Sequence, residues 1–209
     1  VWWFAVMQQA AASDVIGDEA HVELELGFLA GDRSFGKIPF EQTGSGRPLA
    51  GLDASFLAYP LSDTFVTGPR AELRAVAPPL RVSLGWQRPY PDWQVAVPDV
   101  QDVDGNGGRV RSSVRALHTD ELLLGLGVEA PTGVLVPFLD LVGTVHRSSV
   151  SLEVDGRAAD YVSEGFSLGA RGGLRLQCSE HLFVQASGLY APTGPQTWGA
   201  TLGLGVAAF

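Results

Sequence analysis

In "DELLLGLGVEAP", Leu122, Leu124, Leu126 and Val128 fall on one side of an extended chain, and Glu121, Gly125, Gly127 and Glu129 fall on the other. A period of two marks a β-strand with one apolar and one polar face. The same rhythm returns along the chain. "HVELELGFLA" sets Val22, Leu24, Leu26 and Phe28 against Glu23, Glu25 and Gly27. "PRAELRAVA" and "LRVSLGWQ" alternate on either side of Pro78-Pro79, which reads as a turn because proline cannot donate to a ladder. "VLVPFLDLVGTVHR", "GFSLGARGGLRLQ", "LFVQASGLY" and the terminal "TWGATLGLGVAAF" complete about eight antiparallel strands. Short turns alternate with three longer polar stretches, Gly31 to about Thr67, Arg88 to about Thr119 and about Ser148 to Ser163, which read as loops.

This pattern constrains the solvent as well as the fold. No run approaches the roughly 18 to 20 continuous apolar residues of a membrane-spanning helix. Yet only 18% of the 209 residues are charged, against about 25% in soluble domains, and the mean hydropathy is +0.14. A closed barrel reconciles the two, because it satisfies every backbone group between strands and spans lipid with alternating segments. Alternation alone does not say which face looks inward, and a soluble lipocalin-like ligand-binding barrel has the same period with the apolar face inside.

The chemistry of the polar face discriminates. It carries glycine, serine and both charge signs rather than a solvated excess of lysine, and Lys37 is the only lysine. Glu23 and Glu25 lie on the strand next to Arg70 and Arg74, Glu72 lies toward Arg81, and Asp140 lies toward Arg171 and Arg175. Opposite signs on adjacent strands suit a filled lumen, where desolvated charge must be paired. Phe28, Trp86, Tyr190 and Trp198 fall on the apolar face near strand ends, the place of an interfacial girdle.

These features, over His21 to Phe209, resemble the small outer-membrane β-barrels of the OmpA and OmpX kind. The resemblance implies an all-β, up-and-down transmembrane barrel of about eight strands in a bacterial outer membrane. It further implies long extracellular loops, short periplasmic turns, contact with outer-membrane lipid, and handling by the barrel assembly machinery. In that family the last strand ends in an aromatic that serves as the assembly signal. Phe209 takes that place, but out of step with Leu204 and Val206. The opening "VWWFAVMQQAAASD", within residues 1–19, reads as a signal remnant or as an ordered extension ahead of a barrel over 20–209.

Three smaller features bear on chemistry. "DVDGNGG" places Asp102, Asp104 and Asn106 at alternate positions before Gly107, a calcium-loop spacing, although Ser113 stands where a bidentate glutamate belongs. The same residues are strong hairpin-turn formers. In "VHRSS", His146 and Ser148 share one face, with Glu153, Asp155 or Asp160 available to orient the histidine. This resembles the His-x-Ser of lipid A deacylases, an enzymatic alternative, but strand parity turns both residues toward the lumen. The single cysteine, Cys178, excludes an internal disulfide, and a net charge of −9 without basic clusters excludes nucleic acid. The expectation is a monomeric, non-enzymatic barrel serving envelope structure, or binding an extracellular or envelope protein through its loops.

Overall fold

A computed structural model describes residues 19–33, 41–43, 64–91, 100–101, 109–110, 112–130, 133–154 and 157–208. Eight long strands form the wall: β1 His21–Arg33, β2 Thr64–Ala77, β3 Leu80–Gln87, β4 Ser112–Glu129, β5 Leu135–Val154, β6 Arg157–Gln177, β7 Leu182–Tyr190 and β8 Gln196–Ala208. Each pairs antiparallel with its sequence neighbour, and β1 pairs with both β2 and β8, which closes the sheet. Closure removes the unpaired strand edges that an open sheet would expose to lipid.

The side-chain parity is inverted relative to a water-soluble barrel. Leu24, Leu84, Leu124, Leu141 and Leu204 are 46 to 62% exposed on the outside, while Glu25, Glu72, Arg74 and Arg175 are at most 1% exposed within. On β5 the exposed apolar positions run from Leu135 to Val145. At about 3.4 Å per residue and a tilt of about 40°, that is a band of about 26 Å, matching the apolar belt of membrane barrels.

Above the band, the outward positions change character together. Asp120 of β4 stands opposite Arg147 of β5, which stands opposite Glu164 of β6. Arg88, just past β3, donates to Asp120 at 2.8 and 3.1 Å, and the charge of Asp120 raises the Arg88 pKa above its ordinary value. Trp86 donates its indole N–H to Asp120 at 3.2 Å, and Trp198 donates to Asp32. Phe28, Trp86, Tyr190 and Trp198 are all exposed and all lie toward this end, joined by Phe65 and Tyr90. Among the described residues the opposite end exposes leucines and valines but no aromatic side chain.

The polar stretches expected to be loops are partly strand. β4 begins at Ser112, β5 continues to Val154, and β6 starts at Arg157, giving 18, 20 and 21 residues where about 9 to 11 cross a membrane. Beyond the band the apolar parity moves inward, with Val150 1% exposed between Ser149 and Ser151, so the outward-apolar rhythm ends while the ladder persists. The β1–β2 connection also contributes: Glu41–Thr43 pairs with Asp160, Tyr161 and Val162 of β6, adding a short strand beside the β6 extension.

Glycine allows close backbone approach in the wall. A Cβ on Gly127 of β4 would lie 2.3 Å from the Leu139 carbonyl oxygen and 2.7 Å from the Asp140 Cα of β5. Both are backbone atoms that cannot swing aside. Gly127→Val should therefore lower the stability of the folded protein by about 1 to 3 kcal/mol, read as a lower urea midpoint in micelles, and an unchanged midpoint would show that the strands can separate freely there.

Candidate ionic core

Inside the barrel the described residues bury six arginines, Arg33, Arg70, Arg74, Arg81, Arg171 and Arg175, and six carboxylates, Glu23, Glu25, Glu72, Glu121, Glu129 and Asp140. Their charges cancel. Strand parity puts them there, since each lies an even number of steps from an inward neighbour on its own strand.

They divide into two clusters. In the larger, Arg74 reaches three carboxylates: Nη1 donates to Glu23 at 2.8 Å, Nε to Glu72 at 2.7 Å, and Nη2 to Glu25. Glu72 also accepts from Arg70, and from Arg171 Nη2 at 2.9 Å. Arg171 donates from Nε and Nη2 to Asp140 at 2.9 and 2.6 Å. Arg81 lies between Asp140, at 3.1 Å, and Glu129, at 3.4 Å. Arg175 joins Glu129, at 2.9 Å, to Glu23. Two inward rings pack on the cations: Phe138 lies 4.0 Å from the Arg81 guanidinium carbon, and Phe183 lies 5.6 Å from those of both Arg74 and Arg175. The Glu72 to Arg81 pairing expected from adjacency does not form. Arg81 stands opposite Val76, whereas Glu72 stands opposite Gly85.

The smaller cluster lies nearer the loop end. Arg33 grips Glu121 with two parallel bonds, at 2.8 and 2.9 Å, and Gln87 donates to the same carboxylate. Along β4 the inward positions run Glu129, Gly127, Gly125, Leu123, Glu121, and along β5 they run Asp140, Val142, Thr144, His146. Leu123, Val142 and Leu189 form a buried apolar patch between the two clusters.

His146 and Ser148 both face inward, as parity requires, but they do not bond to each other. His146 Nδ1 meets Glu121 at 2.9 Å and its Nε2 meets Ser167 at 2.7 Å, while Ser148 bonds Thr119 at 3.0 Å. Glu121, rather than Asp160, holds the imidazole; Asp155 and the Glu153 side chain lie outside the described residues. Asp160 instead accepts from Ser151 at 2.6 Å. Ser148, His146 and Ser167 are each no more than 1% exposed, so the acid–histidine–serine chain is buried inside the barrel.

Arg33, Glu121 and Glu129 were not among the expected core residues. Glu121 and Glu129 share the parity of Gly125 and Gly127, and that signal was available, as was Arg81 on the strand beside them, whose expected partner was Glu72 instead. Arg33 follows Gly31 and Asp32, where the apolar rhythm stops. The possible calcium ligands Asp102, Asp104 and Asn106, the terminal Phe209 and residues 1–18 lie outside the described residues. Among the described residues no group of three metal-type ligands assembles.

No protein-family model matches the sequence, and no curated protein is similar to it. Solved structures are similar in fold. Neisserial surface protein A superimposes with a TM-score of 0.50 and 12% identity, over 90% of this chain and 96% of that one. The N-terminal β-barrel domain of Pseudomonas aeruginosa OprF does so with 0.50 and 13%, over 92% and 99%. The chain thus has the fold of the small eight-stranded outer-membrane β-barrels, with the polarity that fold carries in a bacterial outer membrane, hydrocarbon-facing outside and ionic inside.

Proposed function

We propose that this protein is a non-enzymatic integral barrel whose lumen is a solid ionic core, and that it serves the envelope as an anchored platform presenting its loop end to the exterior. The carrying observation is the neutral, interlocked set of six arginines and six carboxylates, each at most 3% exposed. A lumen filled by side chains leaves no file of water for solutes. Because those twelve charges cancel, the net charge of −9 belongs to the remaining residues, and an acidic exterior suits a surface contact with a cationic or cation-bridged partner. Lipid of the outer membrane would surround the apolar band, and the assembly machinery would act only during insertion.

Reconstitution tests this reading. The folded protein should run at a different gel mobility before and after boiling, give no stepwise current in a planar bilayer, and release no acyl chain from lipopolysaccharide. Stepwise conductance would replace the solid core with a pore. Acyl release abolished by Ser167→Ala or Ser148→Ala would replace the platform with an enzyme.

A further inference from the structure

A cavity interrupts the apolar layer between the two ion clusters. It is bordered by Leu29, Leu123 and Leu189, by Arg70 of β2 and Gln196 of β8, and by Arg33 and Arg171, each of whose guanidinium nitrogens already donates elsewhere, and it offers about 10 Å³ to the centre of a water molecule. That is the room one water requires. No carboxylate borders it.

Two polar atoms of its lining are unspent. Arg70 is 3% exposed; its Nη1 donates to Thr201 at 2.8 Å and its Nη2 to Glu72, but its Nε has no partner among the described residues. Gln196 is 2% exposed, and its Oε1 likewise has no protein partner. One is a donor and the other an acceptor. Burial of either without a hydrogen bond is strongly unfavourable.

We infer that this cavity holds one resident water molecule, which accepts from Arg70 Nε and donates to Gln196 Oε1. A chloride ion would satisfy the arginine but would face the amide oxygen, so the donor–acceptor pair selects water over a small anion. The bridge ties the first residue of β8 to β2 across β1, and it fills the breach through which the upper and lower ion clusters would otherwise touch.

A crystal structure of the refolded protein grown with sodium bromide tests the assignment. The expected result is one water-sized peak within hydrogen-bonding distance of both atoms, with no anomalous signal. An anomalous bromide peak there would overturn it in favour of an anion site, and side chains closed over the space without density would overturn it outright. In micelles, the Gln196 side-chain amide protons should show a cross-relaxation peak to a long-lived water. That peak should be lost in Arg70→Met while the dispersed amide spectrum of the barrel persists. A peak retained in that variant would remove Arg70 from the site, and if the variant does not refold, the wild-type crystal decides the question alone.

Discussion

Arg74→Met should lower the stability of the barrel by about 3 to 5 kcal/mol, the cost of removing one partner from a buried ion pair. Arg74 is fully buried and, among the described residues, is the only cation bonded to all three of Glu23, Glu25 and Glu72. Methionine keeps much of the aliphatic volume beside Phe183, so the loss is one of charge more than of packing. Glu25 suffers most. Its remaining cation is Arg70, at 3.7 Å, whereas Glu23 keeps Arg175 and Glu72 keeps Arg171. The urea midpoint in detergent micelles, read by gel mobility and tryptophan fluorescence, measures the effect. A double variant, Arg74→Met with Glu25→Gln, should recover part of the loss because it restores neutrality. If the single variant unfolds at the wild-type midpoint, the core is not held by these ions, and the filled-lumen account fails with it.

The second large effect lies on the opposite face. Leu141 is 57% exposed near the middle of the outer band on β5. In water, Leu141→Arg would relieve an exposed apolar group and change little. In a bilayer it should cost about 2 to 4 kcal/mol, because the guanidinium sits at the hydrocarbon midplane. Arg147→Leu, six residues along the same face at the ionic rim, should cost close to nothing. Folding titrations into lipid vesicles separate these outcomes. Equal and small effects at both sites would mean that the outer face meets water.

Most of the wall was legible in the sequence because the bilayer imposes the simplest pattern a strand can carry. From Val22 to Phe28, Leu122 to Val128 and Leu135 to Val145, outward positions had to be apolar or small while inward ones were free to be charged, glycine or, as at Leu123, Phe138 and Val142, apolar, and the outward parity alone assigned the faces. Where the strands leave the band, as in "SSVSLEV" and "RAADYVSEG", the outward positions turn polar and buried groups such as Val150 and Tyr161 face inward, so the lipid-facing rhythm breaks. Those segments looked like loops for that reason. The ionic core was legible in part. Charges on adjacent strands could be matched by sign, as with Glu23 and Arg74, but pairs across the lumen could not. Arg33 to Glu121 joins residues 88 positions apart, and Arg171 to Glu72 joins residues 99 apart, on strands that are not neighbours in the sheet. Such partners follow from how the closed wall is staggered, which alternation does not encode. The His146 site shows the same limit, since its serine came from the next strand, at Ser167, and not from two residues along its own.

The rim of Asp32, Arg88, Asp120, Arg147 and Glu164 has a bearing on how the molecule enters its membrane. These five ionisable groups ring one end only, and the chain's longest connections leave from that same end. Dragging them through hydrocarbon would add a large kinetic obstacle, whereas the far end, with connections of only a few residues, exposes leucines and valines and fewer ionisable groups, Glu180 and His181 among them. With that end facing the exterior, the collar itself has to cross, and its desolvation is the step of insertion that the assembly machinery would have to ease.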